Sequence, residues 1–269
     1  MGAGLRVDSA LGALSSAYPE DEPYTNLADG YVQTTLDGAT TSVTVDLSTE
    51  PSLTSFRTDG LPISILDGGN PEDGNTGIRV LQCVNGETIA TTFENLVIQN
   101  GFSSESGGGM VNDVSSPTLN NCTFRRNSSG ENGGGICNYE NSPTLNNCTF
   151  ENNMAQERGG GMYNSDDASP NLTDCTFTGN SADINGGGMY NYSGSPTLTN
   201  CTFTDNSADT AGGMLNEDSS PTLTDCTFTG NSADFFGGGM YNYDSSSPTL
   251  TDCTFTDNSA DTAGGMLNE

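Results

Sequence analysis

The chain has 269 residues with 35 acidic against 6 basic ones, a net charge of −29, and neither histidine, lysine nor tryptophan. That balance excludes an electrostatic footprint for nucleic acid or an anionic membrane surface. Without histidine there is no Ser-His or Cys-His nucleophile pair, no imidazole metal ligand, and no side chain suited by its unperturbed pKa to proton transfer near neutrality.

Residues 1–30 carry Pro19-Glu20-Asp21-Glu22-Pro23 and no periodicity, and read as an irregular leader or N-terminal cap. Their apolar run Leu11-Gly12-Ala13-Leu14 is too short for a clear secretory signal. No stretch anywhere approaches the roughly 18 to 20 apolar residues of a membrane span. Over residues 31–92, short β-branched runs alternate with turn residues: Val43 to Leu47, Ile63 to Leu66 before Asp67-Gly68-Gly69, and Ile78 to Leu81 before Asn85-Gly86. These read as irregular opening coils. Residues 93–269 are regular repeats, ending without a cap at Glu269.

The repeats align on Cys122, Cys148, Cys175, Cys201, Cys226 and Cys253, with separations of 26, 27, 26, 25 and 27 residues. An earlier copy keeps the frame without the cysteine, since Asn95-Leu96-Val97-Ile98-Gln99-Asn100 precedes Gly107-Gly108-Gly109-Met110; seven copies are readable. Within each copy, three short segments alternate apolar and polar. In Cys226-Thr227-Phe228-Thr229 the cysteine and phenylalanine share one face and the threonines the other. Leu223 belongs to a strand before it, and Met240 to a strand introduced by Gly237-Gly238-Gly239. The glycines, threonines and regular prolines disfavour a helix. The fold class is therefore all-β: a right-handed parallel β-helix of about 26 residues and three short strands per turn, about nine turns and roughly 40 Å long.

Stacking places like residues above like. One inner wall carries the six cysteines with Phe124, Phe150, Phe177, Phe203, Phe228 and Phe255. The cysteines read as buried free thiols. Cys137, beside Ile136, is expected to point outward, and no Cys-x-x-Cys spacing suggests zinc. Asn127, Asn153, Asn180, Asn206, Asn231 and Asn258 form one amide column, and the asparagine two residues after each methionine or isoleucine a second. Both are structural ladders, because an amide can donate to one neighbour and accept from the other.

The pairing of Gly-Gly-[Gly/Ala]-[Met/Ile] with Phe-x-x-Asn resembles the repeat of chlamydial polymorphic outer membrane proteins. The whole unit is similar to the right-handed β-helix repeats of large bacterial surface and secreted proteins. Ala211-Gly212-Gly213 and Ala263-Gly264-Gly265 depart from the triplet without breaking the frame. These are core and turn positions, shared by adhesins, passengers and polysaccharide-active enzymes alike.

Outside the coil, Asp183, Asp209, Asp234 and Asp261 each follow Asn-Ser-Ala. They are weak calcium candidates, and calcium is the one cofactor the sequence suggests. Exposed Thr-x-Thr rungs recur at Thr176 and Thr178, Thr202 and Thr204, Thr227 and Thr229, and Thr254 and Thr256. Such ladders resemble the ice-binding faces of some insect antifreeze solenoids. Resemblance to pectate lyases would imply a groove with calcium-binding aspartates and an arginine base. Only Arg125, Arg126 and Arg158 lie in the repeats, and Arg125 reads equally as a surface ion pair with Glu151. No catalytic residue is assigned. The function expected is a non-enzymatic extracellular or cell-surface segment: adhesin, passenger or stalk. The alternatives are polysaccharide binding or cleavage, and ice binding. Expected partners are a carbohydrate, a cell-surface protein, or a second copy associating end to end.

Overall fold

The computed structural model describes residues 54–56, 62–68, 79–84 and 86–269. The leader over residues 1–30 and the run Val43 to Leu47 lie outside the described residues. Where the description opens, Thr54–Phe56 runs antiparallel to Pro62–Asp67, which then pairs in parallel with Leu96–Gln99. All later pairings are parallel.

One rung shows how the coil is built. Met189–Tyr192, Thr197–Thr199, Thr202–Thr204 and Ser207–Thr210 follow one another in the chain. Each pairs in parallel with its counterpart a rung later, Met214–Glu217, Thr222–Thr224 and Thr227–Thr229 in strict register and Ser232–Phe236 with a shift after Ala208. Four stacked sheets result, here called the methionine, leucine, phenylalanine and serine faces. Three are the strands read from the repeat. The fourth is a further strand of only two residues in most rungs, such as Ser128–Ser129 and Ser181–Ala182, too short to show alternation. Eight strands on the methionine face enclose seven turns. These seven compare with the nine expected from chain length, and residues 1–53 lie outside the described residues.

Pleating sends alternate side chains inward. Leu198, Cys201, Phe203 and Met214 are fully buried, and each continues up and down the coil as a column of like residues. The phenylalanines stack face on face, with centroids 4.5 Å apart between Phe150 and Phe177 and 4.7 Å between Phe203 and Phe228. Burying each such ring stabilises the fold by about 1.5–3 kcal/mol.

Corners are made by single residues in the left-handed region. Asn200 (φ 52°) turns the chain from the leucine to the phenylalanine face, and Asp205 (φ 53°) from the phenylalanine to the serine face. Asn and Asp tolerate this conformation better than other non-glycine residues. The turn aspartates that precede each cysteine, Asp174, Asp225 and Asp252, thus have a backbone reason to be there.

The glycine triplet does two jobs. Its first member adopts positive φ, as at Gly186 (64°) and Gly237 (59°). The next two are glycine because the following rung passes too close. A Cβ at Gly160 would meet the carbonyl oxygen of Gly187 at 2.6 Å, and one at Gly161 would meet the Phe177 ring at 2.8 Å.

Candidate functional site

Inside the coil, both asparagine columns are continuous, and buried except at Asn258 and Asn268. Asn180 Nδ2 donates to Asn206 Oδ1 at 2.9 Å and to Phe150 O at 3.0 Å, and the pattern repeats from Asn127 to Asn258. In the second column Asn138, Asn164, Asn191 and Asn216 pass hydrogen bonds on at 2.7–2.8 Å. Asn127, Asn153, Asn180, Asn206 and Asn231 are thereby tied both to each other and to the backbone of the preceding rung, as is Asn258 through Phe228 O.

The six stacked cysteines are free thiols, buried apart from the half-buried Cys253. Each Sγ lies 3.5–3.8 Å from a carbonyl of the preceding rung, Leu119 for Cys148 and Leu198 for Cys226. Cys148 is pushed above the ordinary thiol range by hydrogen bonding with Cys122 and Cys175 and then by burial, and Cys175 is lowered by its contacts with Cys148 and Cys201.

On the outside, the threonine pairs stand in strict register. Thr176, Thr202, Thr227 and Thr254 form one column, and Thr178, Thr204, Thr229 and Thr256 the next. Earlier rungs interrupt it with Glu151 and Arg125. The expected Arg125–Glu151 pair is replaced by another contact, since the Arg125 guanidinium turns to the preceding rung and donates twice to Gln99 Oε1, at 2.8 and 2.6 Å. A neutral acceptor one rung earlier in the same column thus takes the guanidinium in place of the carboxylate one rung later. Arg126 is an exposed corner residue at φ 53°, and Arg158 stands beyond the serine face beside Glu157, 3.8 Å away. The three arginines of the repeats therefore serve separate places.

Asp183, Asp209, Asp234 and Asp261 are all exposed, one per rung, Asp209 and Asp234 within serine-face strands and Asp183 just after one. Among the described residues, no three Cys, Asp or Glu side chains converge as a metal site would require.

One feature escaped the period-two reading. Side chains that alternation sends outward from the methionine face are buried a second time, in a ladder of Val111, Cys137, Tyr163, Tyr190, Leu215 and Tyr241. Cys137 does point away from the coil axis, but it is fully buried, and burial pushes its thiol up to about 12. The cover is the first glycine of each triplet. A Cβ on Gly186 would lie 3.0 Å from the Tyr190 Cβ, so only a bare backbone lets the corner close over the ring. The available signal was the tyrosine recurring after the core methionine.

Near the first described rungs this outer ladder widens into a cleft of about 330 Å³ bounded by Arg79, Glu105, Glu131, Asp113 and Tyr139. Arg79 spans it, donating to Gly107 O at 2.9 Å, Ser106 O at 2.7 Å and Ser103 Oγ at 3.0 Å. Its donors thus tie two corner loops to the opening coil.

A family described as the right-handed β-helix region matches residues 67–181 and 110–267. The chain belongs to the right-handed β-helix family. Comparison with curated proteins and with solved structures gives no match. Within a right-handed β-helix, the coil accounts for the columns described above, and the outer surfaces vary around it.

The tyrosine ladder makes a measurable prediction. Burial raises Tyr139, Tyr163 and Tyr190, with Glu217 adding to Tyr190, and Tyr241 is pushed up to about 12 by burial and its bond to Glu269. A raised phenol favours the neutral folded form. Its contribution is complete below the unfolded value of about 10 and is lost as pH rises through the folded value. The urea midpoint is expected to fall above about pH 10, and phenolate absorbance of the native chain to lag behind that of the urea-unfolded chain. Superimposable titrations would show that the ladder is open in solution.

Proposed function

We propose that the chain is a non-enzymatic segment of a surface-exposed or secreted protein, a stiff stalk or passenger that holds a polar face away from its point of attachment. The observation that carries this reading is the use of the repeat itself. Leucine, cysteine, phenylalanine, methionine, asparagine and glycine of each rung all bond or pack within the coil. Threonine and aspartate are what the coil leaves outside. A stacked coil grows by nearest-neighbour contacts, so rung number sets reach.

The test has two arms. Intact source cells treated with protease should lose the chain before lysis; protection until lysis would remove it from the surface. Purified protein should leave pectin and other acidic glycans unchanged, and release of unsaturated sugars would move the reading to a lyase. The register of the threonine columns favours one second reading, a flat ice-binding face. Thermal hysteresis abolished by Thr202→Tyr together with Thr227→Tyr would establish it.

A further inference from the structure

The outer ladder changes character at the rung of Met240. Rung by rung, the residues after Asn-Ser-Ala-Asp are Ile184-Asn185, then Thr210-Ala211, then Phe235-Phe236. The last pair lies where the serine-face register shifts, between Ala208 and Thr210 against Ser232–Phe236. Phe235 is 52 % exposed and Phe236 38 % exposed, two adjacent rings where earlier rungs of this side expose single apolar side chains, Met154 and Ile184. A further rung pairs beyond them, Thr262 N donating to Phe235 O at 2.8 Å, so they are not uncovered core.

The exposed rings continue into the tyrosines. Phe236 lies 5.6 Å from Tyr241, and Tyr241 stacks on Tyr243 at 5.5 Å. Carboxylates rim this aromatic run. Tyr241 donates to Glu269 at 2.8 Å, and burial together with Glu217 and Asp244 holds Tyr243 above the ordinary phenol range. From residue 159 to the end of the sequence there are fifteen carboxylates and no lysine or arginine, so the chain itself supplies no cation here.

Two rungs earlier the same ladder shows what such a surface holds. The Arg158 guanidinium lies over the Tyr190 ring, 5.7 Å from its centroid, with the Glu157 carboxylate 3.8 Å from its nitrogen. Aromatic face on one side and carboxylate on the other is the arrangement that favours a planar cation. We propose that the Phe235–Phe236–Tyr243 surface, with Glu217 and Asp244, is a docking site for an arginine-bearing segment of a partner polypeptide. The segment would place a guanidinium over exposed rings as Arg158 does over Tyr190, and further basic residues would meet Asp209 and Asp261 on the adjacent rungs. Neither the location nor the stalk role is assumed.

The experiment uses the whole chain and a fluorescein-labelled peptide of alternating arginine and serine, read by anisotropy at low and physiological salt. A lysine peptide of equal charge and an uncharged glutamine peptide serve as comparisons. Arginine is expected to bind more tightly than lysine, and glutamine not at all. Phe235→Ile with Phe236→Asn installs the pair found at Ile184 and Asn185, which a rung of this coil already accommodates. It keeps an apolar residue and removes the rings, and is expected to weaken arginine binding about three- to tenfold at unchanged net charge. Glu217→Gln, tested separately, should weaken it as well. Equal binding by the ring variant and the parent would overturn the proposal in favour of general acidity, as would equal affinity for arginine and lysine. Sedimentation showing a dimer that Phe235→Ile with Phe236→Asn dissolves would assign the surface to a second copy instead.

Discussion

Gly187→Ala is expected to separate two rungs and cost about 3–5 kcal/mol, among the largest losses a single methyl group can produce. A Cβ at this position would lie 2.7 Å from the carbonyl oxygen of Gly212 and still closer to that of Ser207, both backbone atoms of the following rung. No side-chain rotation relieves such a contact. Relief requires lifting the rung, which stretches the hydrogen bonds from Gly187 N to Ala211 O and from Gly188 N to Gly212 O, each 3.0 Å. The contrasting substitution is Gly179→Asn, at a left-handed corner (φ 62°) where neighbouring rungs hold Asn152 and Asp205. There the nearest contact is the movable Asn152 amide, and a change within about 1 kcal/mol is expected. Urea unfolding followed by circular dichroism separates the two. Similar midpoints for both variants would refute the close-approach account of the triplet.

Asn206→Ala is the second large effect. This side chain donates to Phe177 O at 3.0 Å and Asn231 Oδ1 at 2.9 Å, and accepts from Asn180 N and Asn180 Nδ2, both at 2.9 Å. Truncation strands the Phe177 carbonyl and the Asn180 amide in the interior. Each orphaned group costs about 1–3 kcal/mol, for a total of about 3–5 kcal/mol. Asn200, by comparison, is exposed and donates at 2.6 Å to Asp174; Asn200→Ala should cost about 1 kcal/mol, mainly the strain of alanine at a left-handed corner. Removing Asn206 and Asn231 together should cost less than the sum of the single losses, because they share a bond. If Asn206→Ala unfolds alongside Asn200→Ala, the column contributes packing alone.

The coil was legible because its columns are written as identities: Leu above Leu, Phe above Phe, Asn above Asn, at a spacing of 25 to 27 residues. What stayed hidden follows from how short the remaining elements are. Ser181–Ala182 is a strand of two residues, and two residues have no period. The outer ladder was hidden for a different reason. Alternation tells inward from outward, and outward ordinarily means solvent, but here the corner glycines fold over Cys137 and Tyr190 and make a second interior. Arg125 shows the limit for surface contacts. Register places Gln99 and Glu151 on either side of it, and only side-chain geometry decides that the amide takes the guanidinium. The aromatic departure at Phe235 and Phe236 was visible as a break in the repeat, and its meaning depended on seeing the rings exposed beside Tyr241.

The asparagine columns also carry a direction. In both, Nδ2 faces the following rung and Oδ1 the preceding one, from Asn112 to Asn268 and from Asn127 to Asn258. The amide dipoles therefore add along the axis instead of cancelling, as peptide dipoles do in a helix, and each bond polarises the next. Toward the opening coils the second column presents the buried Asn112 Oδ1, without a hydrogen-bond partner, beneath Cys83. The later rungs present amide N–H groups. A solenoid of near-identical turns is thus electrically unlike at its two poles, and an incoming rung of the same repeat fits with one orientation only.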